Sequence, residues 1–116
     1  MGQDDMVTHT LVLSFPDAMS EVDRKRFFAE GAEVVLSSGI AESYQYWPGV
    51  RVPSAVDAST FAASALVQIR CASAELLQRL FAHPPLGEYA RRWRSQFPFQ
   101  VVAINTEDQP GQSDAR

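Results

Sequence analysis

His9, His83 and Cys71 are the whole inventory of imidazole and thiol groups in the chain. An imidazole titrates near neutrality, so it can take a proton from carbon flanked by carbonyls, or move one during dehydration or tautomerisation, without a metal or cofactor. The same group on a strand can equally be a core residue bonded to a backbone carbonyl. His83 precedes Pro84 at the end of a helical stretch, where an imidazole can bond the last free carbonyls, and it is read as a cap. Cys71, with no histidine near it in sequence, reads as a small core residue. Arg91, Arg92 and Arg94 flank Trp93 and could grip a carboxylate, a phosphate or coenzyme A, although such a run is more simply the solvated face of a helix. Tyr44, Tyr46 and Trp47 are read as packing in a dimer seam, and Asp23, Glu30 and Glu33 as the solvent face of a helix.

What is missing narrows the chemistry further. There is no glycine-rich phosphate loop, no serine elbow and no paired-carboxylate motif, so phosphoryl transfer, triad hydrolysis and glycoside chemistry have no support. One cysteine and two histidines supply neither an intramolecular disulfide nor a zinc cluster, and no metal or other cofactor is expected. The net charge of −4 is concentrated at the ends; setting aside Asp4, Asp5, Glu107, Asp108, Asp114 and Arg116 leaves nine acids and nine bases. A nearly neutral body has no basic field for nucleic acid. No apolar run is long enough to span a bilayer, and the acidic start is unlike a secretory signal, so a cytoplasmic chain without membrane contact is expected.

The elements that must position these groups follow from periodicity. In Val7–Phe15, Val7, His9, Leu11, Leu13 and Phe15 share one face at period two, which predicts a half-buried strand. Ser20 followed by Asp23 approximates a capping box, and a helix from about Ser20 to Ser37 buries Phe27, Phe28, Gly31, Ala32 and Val35 before Gly39 stops it. Ala41–Trp47 reads as a second strand, 50–60 as a surface loop, and Phe61–Arg70 as a third strand with Phe61, Ala63, Ala65, Val67 and Ile69 on its apolar face. Ser73 caps a helix over 74–82 that Pro84-Pro85 terminates, Gly87–Gln96 continues as a helical piece, and Phe97–Asn105 is the last strand. Residues 1–6 are expected to be flexible, 7–105 to form one domain, and 106–116 to be a disordered acidic tail.

This order gives an α+β, ferredoxin-like split βαβ fold with a four-stranded antiparallel sheet. Helices on one face leave the other bare, and Thr8, Thr10 and Val12 on it are not strongly hydrophilic. A homodimer joined sheet to sheet would cover both bare faces. The strand around His9, the Phe27-Phe28 pair and the His83-Pro84 step, over about Val7–Asn105, resemble the stress-responsive dimeric α/β-barrel family, abbreviated Dabb.

The resemblance implies a pocket between sheet and helices. It matches the family's strand-one histidine to His9 and its apolar wall to Leu11, Leu13, Phe27 and Val67. In the family's plant olivetolic acid cyclase, which is similar in layout, the essential acid/base histidine falls where this chain has Leu86 and its partner tyrosine where it has Leu80. Two further polar positions become Gly31 and Ala65, so the same aldol mechanism is not expected. Phe81, Trp93 and Phe97 complete the expected apolar lining, with Tyr89 as a hydrogen-bond donor. The expectation is therefore a cofactor-independent cyclase, dehydratase or isomerase of polyketide-like or aromatic natural products, acting on a small hydrophobic carbonyl substrate with His9 as general base. A non-catalytic, stress-associated dimer that binds a hydrophobic metabolite and a cofactor-free monooxygenase are the alternatives.

Overall fold

The computed structural model of the chain describes residues 6–50, 52 and 63–108. Along it run β1 (Val7–Ser14), α1 (Glu21–Ser37), β2 (Ala41–Pro48), β3 (Ala65–Cys71), α2 (Ala74–Phe81), α3 (Pro84–Gln96) and β4 (Gln100–Glu107). The strands form one antiparallel sheet in the order β2-β3-β1-β4. This is the expected α+β, ferredoxin-like arrangement. No helix among the described residues is long and apolar enough to cross a membrane.

Local chemistry explains where α1 begins and ends. The Ser20 hydroxyl accepts a hydrogen bond from the Asp23 amide at 3.1 Å, supplying a partner for one of the first-turn N–H groups. At the other end Gly39 takes φ +74°, a left-handed conformation that costs glycine nothing and turns the chain into β2. Between them Phe27, Phe28, Gly31 and Val35 form the predicted buried stripe. Phe27 meets Phe15 and Phe99 edge-on, with ring centroids 5.3 Å apart in each case. Each such ring stabilises the fold by about 1.5–3 kcal/mol through burial. β3 supplies the sheet's side of the core, with Ala65, Val67, Ile69 and Cys71 buried at every second residue.

Four expectations are corrected by the backbone. The helical piece predicted over Gly87–Gln96 begins at Pro84, because the two prolines that end α2 also suit the first turn of α3, where φ near −65° is needed and an N–H is not. His83 is consequently the N-cap of α3 rather than a side-chain cap on α2. Its carbonyl accepts from Leu86 and Gly87, its amide donates to the Leu80 carbonyl, and its side chain makes no capping bond. Phe97 closes α3 through its amide to Trp93, and β4 starts only at Gln100, past Pro98, which has no N–H to offer a ladder. β4 then runs beyond Asn105, as Thr106 and Glu107 pair with Thr8 and Val7, and Asp108 donates its amide to Met6 and pairs with Arg70 at 2.6 Å. The acidic end is thus strand as far as Glu107. The start of the predicted third strand, Phe61, and most of the predicted loop 50–60 lie outside the described residues, as do 1–5 and 109–116.

Candidate functional site: an apolar cavity with one imidazole

Between the sheet and the three helices lies a cavity of about 190 Å³. β1 contributes His9, Leu11 and Leu13, with Ile69 from β3, Val101 from β4, and Phe99 just before β4. The opposite wall is Phe27 of α1, Leu80 and Phe81 of α2, and Leu86, Tyr89, Ala90 and Arg94 of α3. The period of two in β1 turns His9, Leu11 and Leu13 to the same side, and register sets Asn105, Ala103 and Val101 opposite them.

That register gives His9 a partner that composition could not reveal. Its Nδ1 lies 2.6 Å from Oδ1 of Asn105. A carboxamide oxygen only accepts, so Nδ1 is the donor of this bond and, in the neutral ring, the lone pair falls on Nε2. The Phe81 ring stands edge-on to the imidazole at 4.9 Å and remains 47% exposed, so it forms a partial rim beside His9. His9 and its amide partner thus stand together beside an apolar space.

Of the predicted lining, Leu11, Leu13, Phe27, Leu80, Phe81 and Leu86 are brought together here with His9 and Tyr89. Gly31, Ala65, Val67, Trp93 and Phe97 are not in the cavity wall. Val67 and Ala65 are buried in the core on β3, beside β2, and Trp93 packs on Phe27 and Phe97 with its indole N–H donated to Glu30 at 2.8 Å. Gly31 sits where the Tyr89 and Tyr44 hydroxyls converge; a Cβ added there would lie 2.7 Å and 2.8 Å from their oxygens.

Tyr89 departs from its expected role. Its ring lines the cavity, but its hydroxyl donates to the Phe27 carbonyl at 2.6 Å, so the proton expected for a ligand is held by backbone. Burial, with Tyr44 and Glu30 nearby, drives its ionisation above the usual phenol range and keeps that proton in place. Tyr44 and Tyr46 also differ from expectation. Tyr46 stacks on Phe28 at 4.3 Å and both face α1, whereas Trp47 lies on the other side of the sheet opposite Leu66. Cys71 is fully buried as predicted, and desolvation pushes its thiol up.

Glu30 is not a free solvent carboxylate. It accepts from the Trp93 indole and from Arg92 at 2.8 Å, and the indole bond first, with the Arg92 and Arg26 charges, holds it below the ordinary carboxylate range. Arg92 is spent on that contact, while Arg94 reaches the cavity wall. No cluster of three or more histidine, cysteine or acidic groups among the described residues could hold a metal ion. Sequence reasoning missed Ile69, Ala90, Phe99, Val101 and Asn105. The alternation of β4 held the signal for Val101 and Asn105, but their placement needed the register of β1 against β4.

No family model matches the chain, and no curated protein matches it in sequence. Solved structures do match in fold. A hydroxynitrile lyase from Passiflora edulis superposes with a TM-score of 0.75 at 14% identity, covering 92% of this chain and 96% of its own. A Dabb family protein with a ferredoxin-like fold from Mesorhizobium loti gives 0.68 at 16% identity, covering 87% and 94%. SnoaB, a cofactor-independent oxygenase from Streptomyces nogalater, in its N63A variant, gives 0.62 at 13% identity, covering 97% and 99%. The fold is the Dabb-type ferredoxin-like fold.

Proposed function

We propose that the chain is a cofactor-independent enzyme that moves a proton on a small hydrophobic carbonyl substrate, with His9 as general base. The observation that carries this reading is the His9–Asn105 pair at the edge of an apolar cavity. Asn105 holds Nδ1–H, leaving Nε2 to accept a proton from carbon next to a carbonyl. A cyclisation, a dehydration or a tautomerisation of a polyketide-like or aromatic compound each begins with such a step. The fold is shared with a hydroxynitrile lyase and a cofactor-independent oxygenase, so it accommodates both lyase and oxygenase chemistry, and a fold alone does not name a reaction. The bare sheet face supports a homodimer as the working form.

Deuterium exchange at the α-carbon of aryl alkyl ketones, followed by NMR in heavy water, tests the proposal. Wild-type protein is expected to exceed buffer, His9→Gln to fall to the buffer rate while still binding the ketone, and Asn105→Leu to lose about 10–100-fold. Full exchange by His9→Gln would overturn it. One observation favours a second reading, a non-catalytic dimer that binds a hydrophobic metabolite: Leu80 and Leu86, where the family's cyclases keep their acid/base pair, line the cavity as plain hydrocarbon. Ketone binding without exchange by wild-type protein selects that reading. The monooxygenase reading requires oxygen consumption with an electron-rich phenol or anthrone, which an oxygen electrode follows directly.

A further inference from the structure

We infer that the ligand of this cavity is an acid, its carboxylate held by Arg94 at the end of the cavity opposite His9. The inference rests on the cavity being a ligand site and adds the charge and shape of what enters it.

Among the described residues, Arg94 is the only permanently charged group in the cavity wall, and none of them brings a carboxylate to it. Its guanidinium lies 4.8 Å over the buried Phe99 ring, a contact that steers an otherwise exposed side chain toward the cavity wall. Its neighbours on α3 are differently placed: Arg92 is bound to Glu30, and Arg91 lies beside Gly87. Among the described residues no acidic group is within ion-pair distance of Arg94. A guanidinium offers two parallel N–H bonds to a carboxylate, a pairing that a neutral amide cannot match.

The register sets the length of the ligand. His9 stands opposite Asn105, while Leu13 stands opposite Val101, two residues from Phe99. Four residues of strand separate His9 from Leu13, roughly 14 Å at about 3.4 Å each. Leu11, Leu13, Ile69 and Leu80 line the space between. The match is an elongated amphiphile, a medium-length oxo acid or aryl-alkyl acid, with a carboxylate at one end and the reacting carbonyl near the other.

Titration of the full-length protein with decanoate and with decanamide, each followed through the methyl signals of Ile69, Leu80 and Leu86, tests this. Decanoate is expected to bind about tenfold more tightly than decanamide, as one charge-assisted pair provides. Arg94→Gln should bring the two to equal affinity without changing that for decanamide, Arg94→Lys should restore part of the preference, and Arg91→Gln should leave it intact. Equal binding of the two by wild-type protein, or a preference that survives Arg94→Gln, would overturn the assignment of Arg94 while leaving the cavity reading standing. If neither probe moves the cavity methyls, the cavity reading fails and this inference with it.

Discussion

Gly31 and His9 make opposite demands on sequence reading. In an exposed helix, replacing glycine by alanine gains about 1 kcal/mol. At Gly31 the new Cβ would press on the Tyr89 and Tyr44 hydroxyls, one of them fixed to the Phe27 carbonyl, so overpacking decides the sign. Gly31→Ala is expected to lower stability by about 1–3 kcal/mol in urea denaturation, and Gly31→Ala with Tyr44→Phe to recover part of the loss. A gain in stability from Gly31→Ala alone would contradict that packing. For Gly31, burial was legible from the three-and-four spacing of α1, but not what it made room for. For His9, the face was legible from alternation, whereas Asn105, 96 residues away in sequence, became its partner only through strand register.

At the scale of elements, α1 and α3 share a carboxylate in addition to the Tyr89–Phe27 bond and their aromatic packing. Glu30 binds Trp93 and Arg92 across the interface, and its ionisation is shifted down from an ordinary value of 4.5. A depressed carboxylate adds stability above its unfolded-state value, and that contribution fades as pH falls through the folded one. Thermal melts of wild-type protein and Glu30→Gln should therefore differ at neutral pH and converge in acid, as pH falls past 4.5 and through the depressed folded-state value, the gap remaining small because the carboxylate is partly exposed. A gap that stays constant into acid would show that the charge on Glu30 is not what holds the helices. The existence and order of all seven elements were readable from periodicity and caps. The start of α3 was not, because Pro84-Pro85 serves both to end one helix and to begin the next, and the end of β4 was not, because acidic Glu107 continues a strand whose pairing with Val7 overrides its composition.

For the whole molecule the telling surface is the sheet face turned away from the helices. Trp47, Val102 and Ile104 are 44%, 68% and 58% exposed on it, beside Val12 and Leu66. Apolar side chains gathered on one sheet face mark an association surface, and a second copy packed face to face, about 10 Å between sheets, would cover them. Light scattering after size exclusion should give a dimer for the wild type and a monomer for Val102→Glu/Ile104→Lys, with unchanged circular dichroism. A wild-type monomer would remove the dimer from the account. The cavity lies on the other side of the sheet, so its chemistry is built within one chain. Its central claim is that Asn105 fixes His9 as a base, and the most direct measurement is long-range nitrogen–proton NMR of histidine-labelled protein under mildly alkaline conditions. The account predicts a protonated Nδ1 and a bare Nε2 at His9, shifting to the opposite tautomer or a mixture in Asn105→Leu; a proton on Nε2 in the wild type would contradict it.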